Sequence, residues 1–591
     1  MSNKINRRTF IRVTTLLPIA GAIIGTSCDP EDPEITRDAV EYKISSTTKT
    51  TLTETFKPAD VEVDPMIIGS EIDAMLAHNY GLLTKDAGEP HILRKDLLET
   101  PDSYVEATSR KSLLLFPQIT DIHITDVEGP NRMTFGYFMG NTSAYRPHSI
   151  YCTHVLDAMI QTFSALHTKE NFDFVLATGD LSDNASGIEV MWFNTVINGG
   201  VISADSGAVD DPIEGGGNDF TDPYIVNGLP DGLEWYAAVG NHDVLHQGIQ
   251  FITDEVAARH IGDKISKTDF MCTDDIYVGA QDASTPNGDP LCAFDKLVAA
   301  DGKSASPYLV STGAACNMDE SMKASCKDDS IVPDERRKAF RSHKEWFDNV
   351  NDADIVHPDP EVNKSGYYSV QPKDNIPIEL IFLDLAATKE NFYSGEDFRP
   401  LLQNEQGFLD AIQFAWLKEK LDSLKTDKKG AIIVVHHPIG SIDEDSEVSA
   451  STLVETLKEY DNILALIAGH THHNKMKFYK SDTETNGFVQ IVTCGLLDFP
   501  EQARIYEIVY NDNKTISIFT TMLNHASQED SFSFLGRRLS LAQHQVNGKT
   551  KGLGDIKDRN TEIIVPIPEY LQASFDAITS KDYIRTLKFD A

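Results

Sequence analysis

Short, nearly uninterrupted apolar runs punctuate the chain at Leu113 to Ile119, Phe172 to Thr178, Leu233 to Val239, Leu380 to Leu383, Ile432 to Val435 and Ile463 to Ala468, and each gives way to polar residues. Runs of this length without alternation are the pattern of strands buried on both faces of a sheet. Helical periodicity lies between them, around His154 to Leu166 and Phe414 to Leu424, as a layered α/β fold requires. Beyond His473 the pattern turns β-rich, with Phe488 to Cys494, Arg504 to Tyr510 and Thr515 to Thr521 reading as successive strands. The expected core is a sandwich of sheets flanked by helices.

Two stretches interrupt this core. Residues 203–232 are dense in Gly, Asp and Pro and read as a long loop. Residues 244–374 hold several helical fragments, and read either as a small cap at the mouth of the site or as solvent-facing decoration. The tail, 524–591, carries apolar stretches at Leu535 to Leu541 and Ile563 to Ile578, too apolar for a disordered terminus. It is expected to pack on a core spanning 59–523. The 591 residues exceed one ordinary compact domain, and the insertions account for the excess.

Ahead of the core, Asn6-Arg7-Arg8-Thr9-Phe10-Ile11-Arg12 leads into an apolar run from Val13 to Ile24, the order of an export signal. The run is short for a membrane-spanning helix. Its consecutive arginines resemble a bacterial twin-arginine signal, and an ordinary secretory signal predicts the same destination. Cys28 closes the run in a setting similar to a lipoprotein attachment site, except for Gly25 where a larger aliphatic residue is usual. Lipidation of Cys28 gives an envelope-anchored protein, and ordinary cleavage a free periplasmic one. Residues 1–28 are thus assigned to the signal, and the Thr- and acid-rich residues 29–58 to a flexible tether. Cys272, Cys292, Cys316 and Cys326 cluster in the second insertion without Cys-x-x-Cys spacing, which in an exported protein suggests two disulfides. Cys152 and Cys494 lie on separate apolar segments and are expected to be buried.

Charge narrows the partners. With 52 Lys and Arg against 91 Asp and Glu, the net charge of -39 repels nucleic acid and anionic lipid. A small phosphorylated substrate stays compatible with it, because bound divalent cations reverse the local field. Nothing in the sequence reads out an oligomeric state.

Five polar clusters each follow an apolar run: Asp121-Ile122-His123, Gly179-Asp180-Leu181-Ser182-Asp183-Asn184, Gly240-Asn241-His242-Asp243, His436-His437-Pro438 and Gly469-His470-Thr471-His472. Ligands collect at this edge of α/β sheets. In an extended backbone the i, i+2 spacing of Asp121/His123 and His470/His472 would turn each pair to one side, as a clamp for a metal. Glycines before Asp180, Asn241 and His470 permit tight turns and close approach.

Taken in this order, the clusters resemble the calcineurin-like metallophosphoesterase superfamily, whose pattern is D-x-H, G-D-x-x-D, G-N-H-D/E, H and G-H-x-H. The long inserts between motifs and the twin-arginine-type start also resemble one exported bacterial subfamily. The resemblance covers residues 112 to 523 and implies a four-layer α/β/β/α sandwich. It assigns Asp121, His123 and His472 to one metal ion, Asn241, His436 and His470 to a second, and Asp180 to both. This donor set suits Fe, Zn or Mn, as divalent or trivalent ions. The activity it implies is hydrolysis of a small-molecule phosphate mono- or diester by a metal-bridging hydroxide. His242 would protonate the leaving group, with Asp243 orienting it.

Several neighbours have other readings. His436 directly follows its strand and is preferred as ligand, leaving His437 as an outer or substrate contact, although the two could exchange roles. Purple acid phosphatases place a tyrosine three residues after the bridging Asp, where this chain has Asp183, so no tyrosinate-to-iron colour is expected. Asp183 and Asn184 are read as bonding the loops around the site, and His473 as structural. A non-catalytic metal-binding surface lipoprotein is the alternative function.

Overall fold

The computed structural model describes residues 48–62, 72–129, 146–207, 216–249, 254–262, 333–340, 343–350, 366–386, 405–481, 486–546 and 551–578, with 64, 67 and 252. The signal, Cys28 and the four clustered cysteines lie outside them. Cys152 and Cys494 are both buried and unbonded to each other. Among the described residues no helix is long and apolar enough to cross a membrane.

In chain order the strands are β1 (Glu54–Pro58), β2 (Leu83–Ala87), β3 (Ile92–Arg94), β4 (Arg110–Ile119), β5 (Val175–Thr178), β6 (Gly200–Ile202), β7 (Tyr224–Val226), β8 (Trp235–Ala238) and β9 (Tyr368–Val370). They continue with β10 (Ile378–Phe382), β11 (Gly430–Val434), β12 (Ile463–Ala468), β13 (Lys475–Lys480), β14 (Gly487–Val492), β15 (Gln502–Asn511), β16 (Thr515–Asn524) and β17 (Thr561–Pro566). The principal helices are α1 (Cys152–His167), α2 (Gly187–Asn198), α3 (Ala411–Thr426), α4 (Ala450–Leu457), α5 (Phe532–Val546) and α6 (Glu569–Asp576).

Two large sheets result. One runs β13-β14-β12-β11-β10-β9, with β10, β11, β12 and β14 parallel. The other runs β3-β17-β16-β15-β4-β5-β8, with β4, β5 and β8 parallel and β15, β16 and β17 antiparallel. Alternation along buried strands sets the layers. Ile381, Ile433, Leu466 and Ala468 pack with Leu417 and Leu421 of α3 and Leu453 of α4, while Leu380, Ile432, Val434 and Ile467 join the core shared with Phe116, Leu176 and Ile505 of the other sheet. That sheet also packs against Val155 and Met159 of α1 and Phe193 of α2. The architecture is therefore helix, sheet, sheet, helix, the α/β/β/α sandwich expected. Gln118 of β4 pins the sheets together: its amide donates to Thr178 Oγ1 at 2.7 Å and Ala468 O at 3.2 Å, and its carbonyl accepts from Thr493 Oγ1 at 2.6 Å.

The described part of the stretch read as a tether, from residue 48, is anchored to the core. Thr50 and Thr51 are buried, Thr51 Oγ1 donates to Met522 O at 2.7 Å, and β1 pairs with β2. Threonine hydroxyls satisfied by the end of β16 give this stretch the anchorage its composition concealed. The tail does more than pack on the core, since β17 lies inside the sheet between β3 and β16. The first insertion also contributes structure, with β7 pairing β6 and Tyr224 stacked on His154 at 4.3 Å. The described end of the second insertion lies against the site loop: Gly187 N donates to Lys338 O, Phe340 N to Ala185 O, and the buried Arg337 Nε to Asp126 Oδ2 at 2.9 Å.

Candidate metal centre

The five clusters occupy loops at the carboxyl ends of β4, β5, β8, β11 and β12, so the site straddles the ends of both sheets. The backbone there differs from the extended form expected. Asp121, His123, His470 and His472 have φ of 51°, 46°, 71° and 53°, and Asp180 has 52°. These left-handed conformations are costly for residues with a Cβ, and persist only where surroundings fix them. Here the loops interlock: Ile122 N and His123 N both donate to Asp180 O at 2.9 Å, and His470 N donates to the Asp121 carboxylate at 3.0 Å. Gly469 is needed for this approach, since a Cβ there would stand 2.0 Å from Thr120 Oγ1.

Three histidines have their tautomers set from outside. His123 Nδ1 lies 3.0 Å from Asp183 Oδ1, His472 Nδ1 is 2.5 Å from Asp498 Oδ2, and His436 Nδ1 is 2.8 Å from Thr178 O. Each partner is an acceptor, so each Nδ1 carries the hydrogen and each Nε2 keeps a lone pair in the neutral ring. Those lone pairs converge. His123 Nε2 and His472 Nε2 are 3.2 Å apart, His472 Nε2 is 3.2 Å from Asp121 Oδ1, and Asp180 Oδ2 lies 3.1 Å from His436 Nε2 and 3.6 Å from His123 Nε2. Nitrogens and carboxylates crowded in this way need protons or a cation among them, and buried charge demands compensation. The residues therefore fit metal ions.

Potential ligand atoms group as Asp121, His123 and His472, as Asp121, Asp180 and His436, and as His436, His437 and His470. The His470/His472 pair thus divides, each imidazole joining a different group of potential ligand atoms. Asn241 is buried with its Oδ1 unpartnered among the described residues, while its Nδ2 donates to Gly248 O at 3.1 Å. That leaves an amide oxygen available to a metal. His437 is buried beside His470, ring centroids 4.4 Å apart, so both readings of the 436/437 pair keep it near the cluster. His473 Nδ1 pairs with Thr471 O at 2.8 Å, as a structural residue would.

His242 stands edge-on to His123, ring centroids 4.5 Å apart, with Nδ1 at 2.8 Å from Asp183 O and 3.3 Å from Asp183 Oδ1. The expected orienting residue, Asp243, faces elsewhere. Its Oδ1 accepts from Leu181 N and Ser182 N at 2.9 and 3.1 Å, and its Oδ2 from Gly240 N at 2.8 Å. The turn that follows β8 curls Asp243 back under its own helix start, so it braces the Asp180 loop while Asp183 faces His242. Asp183 was read as a loop contact, and it is one: Gln247 Nε2 donates to it at 2.8 Å. Asp498, Arg146 and His148 carried no motif, and their part in the site comes only from folding.

Burial disfavours charge throughout this cluster, and carboxylates oppose it unevenly. His123 is pushed down to about 4 and His470 to about 3, both mainly by burial. For His472, burial is outweighed by Asp121 and Asp498, which hold its pKa up at about 10. Asp180 and Asp121 likewise outweigh burial at His436 and hold it at about 9. His242 also stays above its ordinary value, Asp180 and Asp183 overcoming burial.

The family model for calcineurin-like phosphoesterases matches residues 116–474, more than half of the chain. The chain belongs to the calcineurin-like phosphoesterase family. It is 25% identical over 122 residues to a cyclic GMP-AMP phosphodiesterase of Rattus norvegicus, a match spanning 20% of this chain and 25% of that relative. The chain thus spans about a quarter of the length of that curated relative. The crystal structure of a dimetal phosphatase from Danio rerio is 10% identical, covers 70% of this chain and 100% of its own, and has a TM-score of 0.33.

Proposed function

We propose that this phosphoesterase uses two metal ions to hydrolyse a small phosphate mono- or diester, outside the cytoplasmic membrane. One ion is held by Asp121, His123 and His472, the other by Asn241, His436 and His470, with Asp180 reaching both. The observation that carries the reading is the convergence of three Nε2 atoms on two carboxylates, each imidazole being fixed from behind by an acceptor. Ions bound there supply Lewis acidity toward phosphoryl oxygens and lower the pKa of the water they hold.

His242 donates the proton to the departing oxygen through Nε2, because Nδ1 is engaged by Asp183. A proton donor with its own orienting group speaks against a non-catalytic surface protein. The export signal and the Cys28 setting support a periplasmic or envelope-anchored location. A relative named as a phosphodiesterase makes diesters worth testing beside monoesters.

The test is elemental analysis of purified protein with hydrolysis of p-nitrophenyl phosphate and bis-p-nitrophenyl phosphate over a panel of metals. About two ions per chain with turnover of either ester is the expected result. Absence of bound metal under all conditions overturns the reading.

A further inference from the structure

His123 and His472, whose Nε2 atoms are 3.2 Å apart, follow strands of different sheets. His123 follows β4 and is oriented by Asp183, which follows β5 of the same sheet. His472 follows β12 of the other sheet and is oriented by Asp498, which lies in the crossover from β14 of that sheet to β15 of the first. Each imidazole is therefore aligned by its own carboxylate, and the Asp498 loop is itself tied to the loop after β4, where Leu496 N and Leu497 N donate to Thr120 O and Asp121 O at 2.9 and 3.2 Å.

Arg146 bridges the two orienting carboxylates. Its Nε lies 3.1 and 3.2 Å from the two Asp498 oxygens, and one terminal nitrogen lies 3.9 Å from Asp183 Oδ1, within ion-pair range. His148, two residues on, meets Asp498 Oδ1 at 3.2 Å, while Gln247 meets only Asp183 of the pair. Arg146 is buried, as are both carboxylates. A guanidinium suits this place because it is planar, always charged and presents donors in several directions.

We propose that Arg146 is a positioning residue for the metal site: by engaging both carboxylates that orient His123 and His472, it holds the two imidazoles in register and governs occupancy of the position they share with Asp121. The proposal rests on the two-metal reading above. It makes one metal position, and not the other, depend on a side chain that touches neither ion nor substrate. His436, oriented by Thr178 O, stands outside this linkage.

The experiment is titration of metal-stripped wild type, Arg146→Met and Arg146→Lys with Zn2+, followed by calorimetry and elemental analysis, with thermal melts of the metal-free proteins alongside. Arg146→Met is expected to keep one ion at wild-type affinity and bind the other about 10–100-fold more weakly, the usual loss when an orienting partner is removed. Arg146→Lys keeps the charge but cannot reach both carboxylates with one ammonium, and is expected to weaken the same position by less. Combining Arg146→Met with His436→Ala should abolish tight binding, whereas combining it with His472→Ala should lose no more than His472→Ala alone. Wild-type affinity at both positions in either Arg146 variant overturns the proposal, as does parallel loss of both ions with a fall in melting temperature. If Arg146→Met does not fold, Arg146→Lys decides. Wild type binding no metal would instead refute the two-metal function itself.

Discussion

Loading the metal-free protein near pH 7.5 should expel about two protons per chain, because ligands must be deprotonated to bind. The number follows from which imidazoles hold a proton beforehand. His472 and His436, raised to about 10 and about 9 by facing carboxylates, are charged at that pH, while His123 and His470, lowered to about 4 and about 3 by burial, are already neutral. Protons thus compete with metal at two ligands. The apparent affinity for each ion should rise by about 10-fold per pH unit below pH 9, about 100-fold for the product of the two, and level off above 10, where both protons have gone. The metal-free fold behaves oppositely. Its raised histidines contribute stability that is complete below their unfolded value near 6.5 and disappears as pH climbs through 9 to 10, so its melting temperature should fall over that window. Calorimetric titration in buffers of different ionisation enthalpy reads the released protons directly. A binding enthalpy independent of buffer would refute the assignment of charge to these two ligands.

Replacing His242 with Ala should leave metal content intact and slow turnover by about 10²–10⁴-fold for esters with poor leaving groups, and far less for p-nitrophenol. Loss of equal size across leaving groups would remove His242 from the acid role. Asp243→Ala should act differently, leaving the backbone N–H groups of Leu181, Ser182 and Gly240 without their acceptor at roughly 1–3 kcal/mol each. Its signature is a lowered urea midpoint with equal slowing for all substrates, and a leaving-group dependence like that of His242→Ala would restore it to an orienting role. Leu466→Ala, at a fully buried β12 position facing α3, should cost roughly 2–5 kcal/mol in urea unfolding, and a change under 1 kcal/mol would contradict the layer assignment.

Much of this protein was legible before folding. Nearly uninterrupted apolar runs marked β4, β5, β8, β10, β11 and β12, because a strand buried on both faces has few polar positions to spare, and the β-rich pattern after His473 marked β14, β15 and β16. The same runs located the site, since the polar residue after each must lie at a sheet edge. Strands at the margins were less visible. β13 reads Lys475-Met476-Lys477-Phe478-Tyr479-Lys480, with lysines on its exposed side, and β17 was hidden in the tail until pairing placed it between β3 and β16.

What the sequence by itself determined is the inventory of ligand-type side chains and the edge at which they collect, because apolar periodicity and residue chemistry are local properties. Which atoms meet is not local. The Asp-x-His and His-x-His pairs take left-handed backbones fixed by neighbouring loops, so the spacing that suggested clamps does not decide their direction. Asp243, adjacent to His242, turns away to brace three backbone N–H groups, whereas Asp183 reaches His242 from 59 positions off in the chain. Asp498 and Arg146, distant in sequence and without a motif, are brought to the histidines only by the docking of one sheet on the other. Hydrogen-bond direction and charge compensation depend on that packing, and so tertiary structure alone decided which groups orient the site.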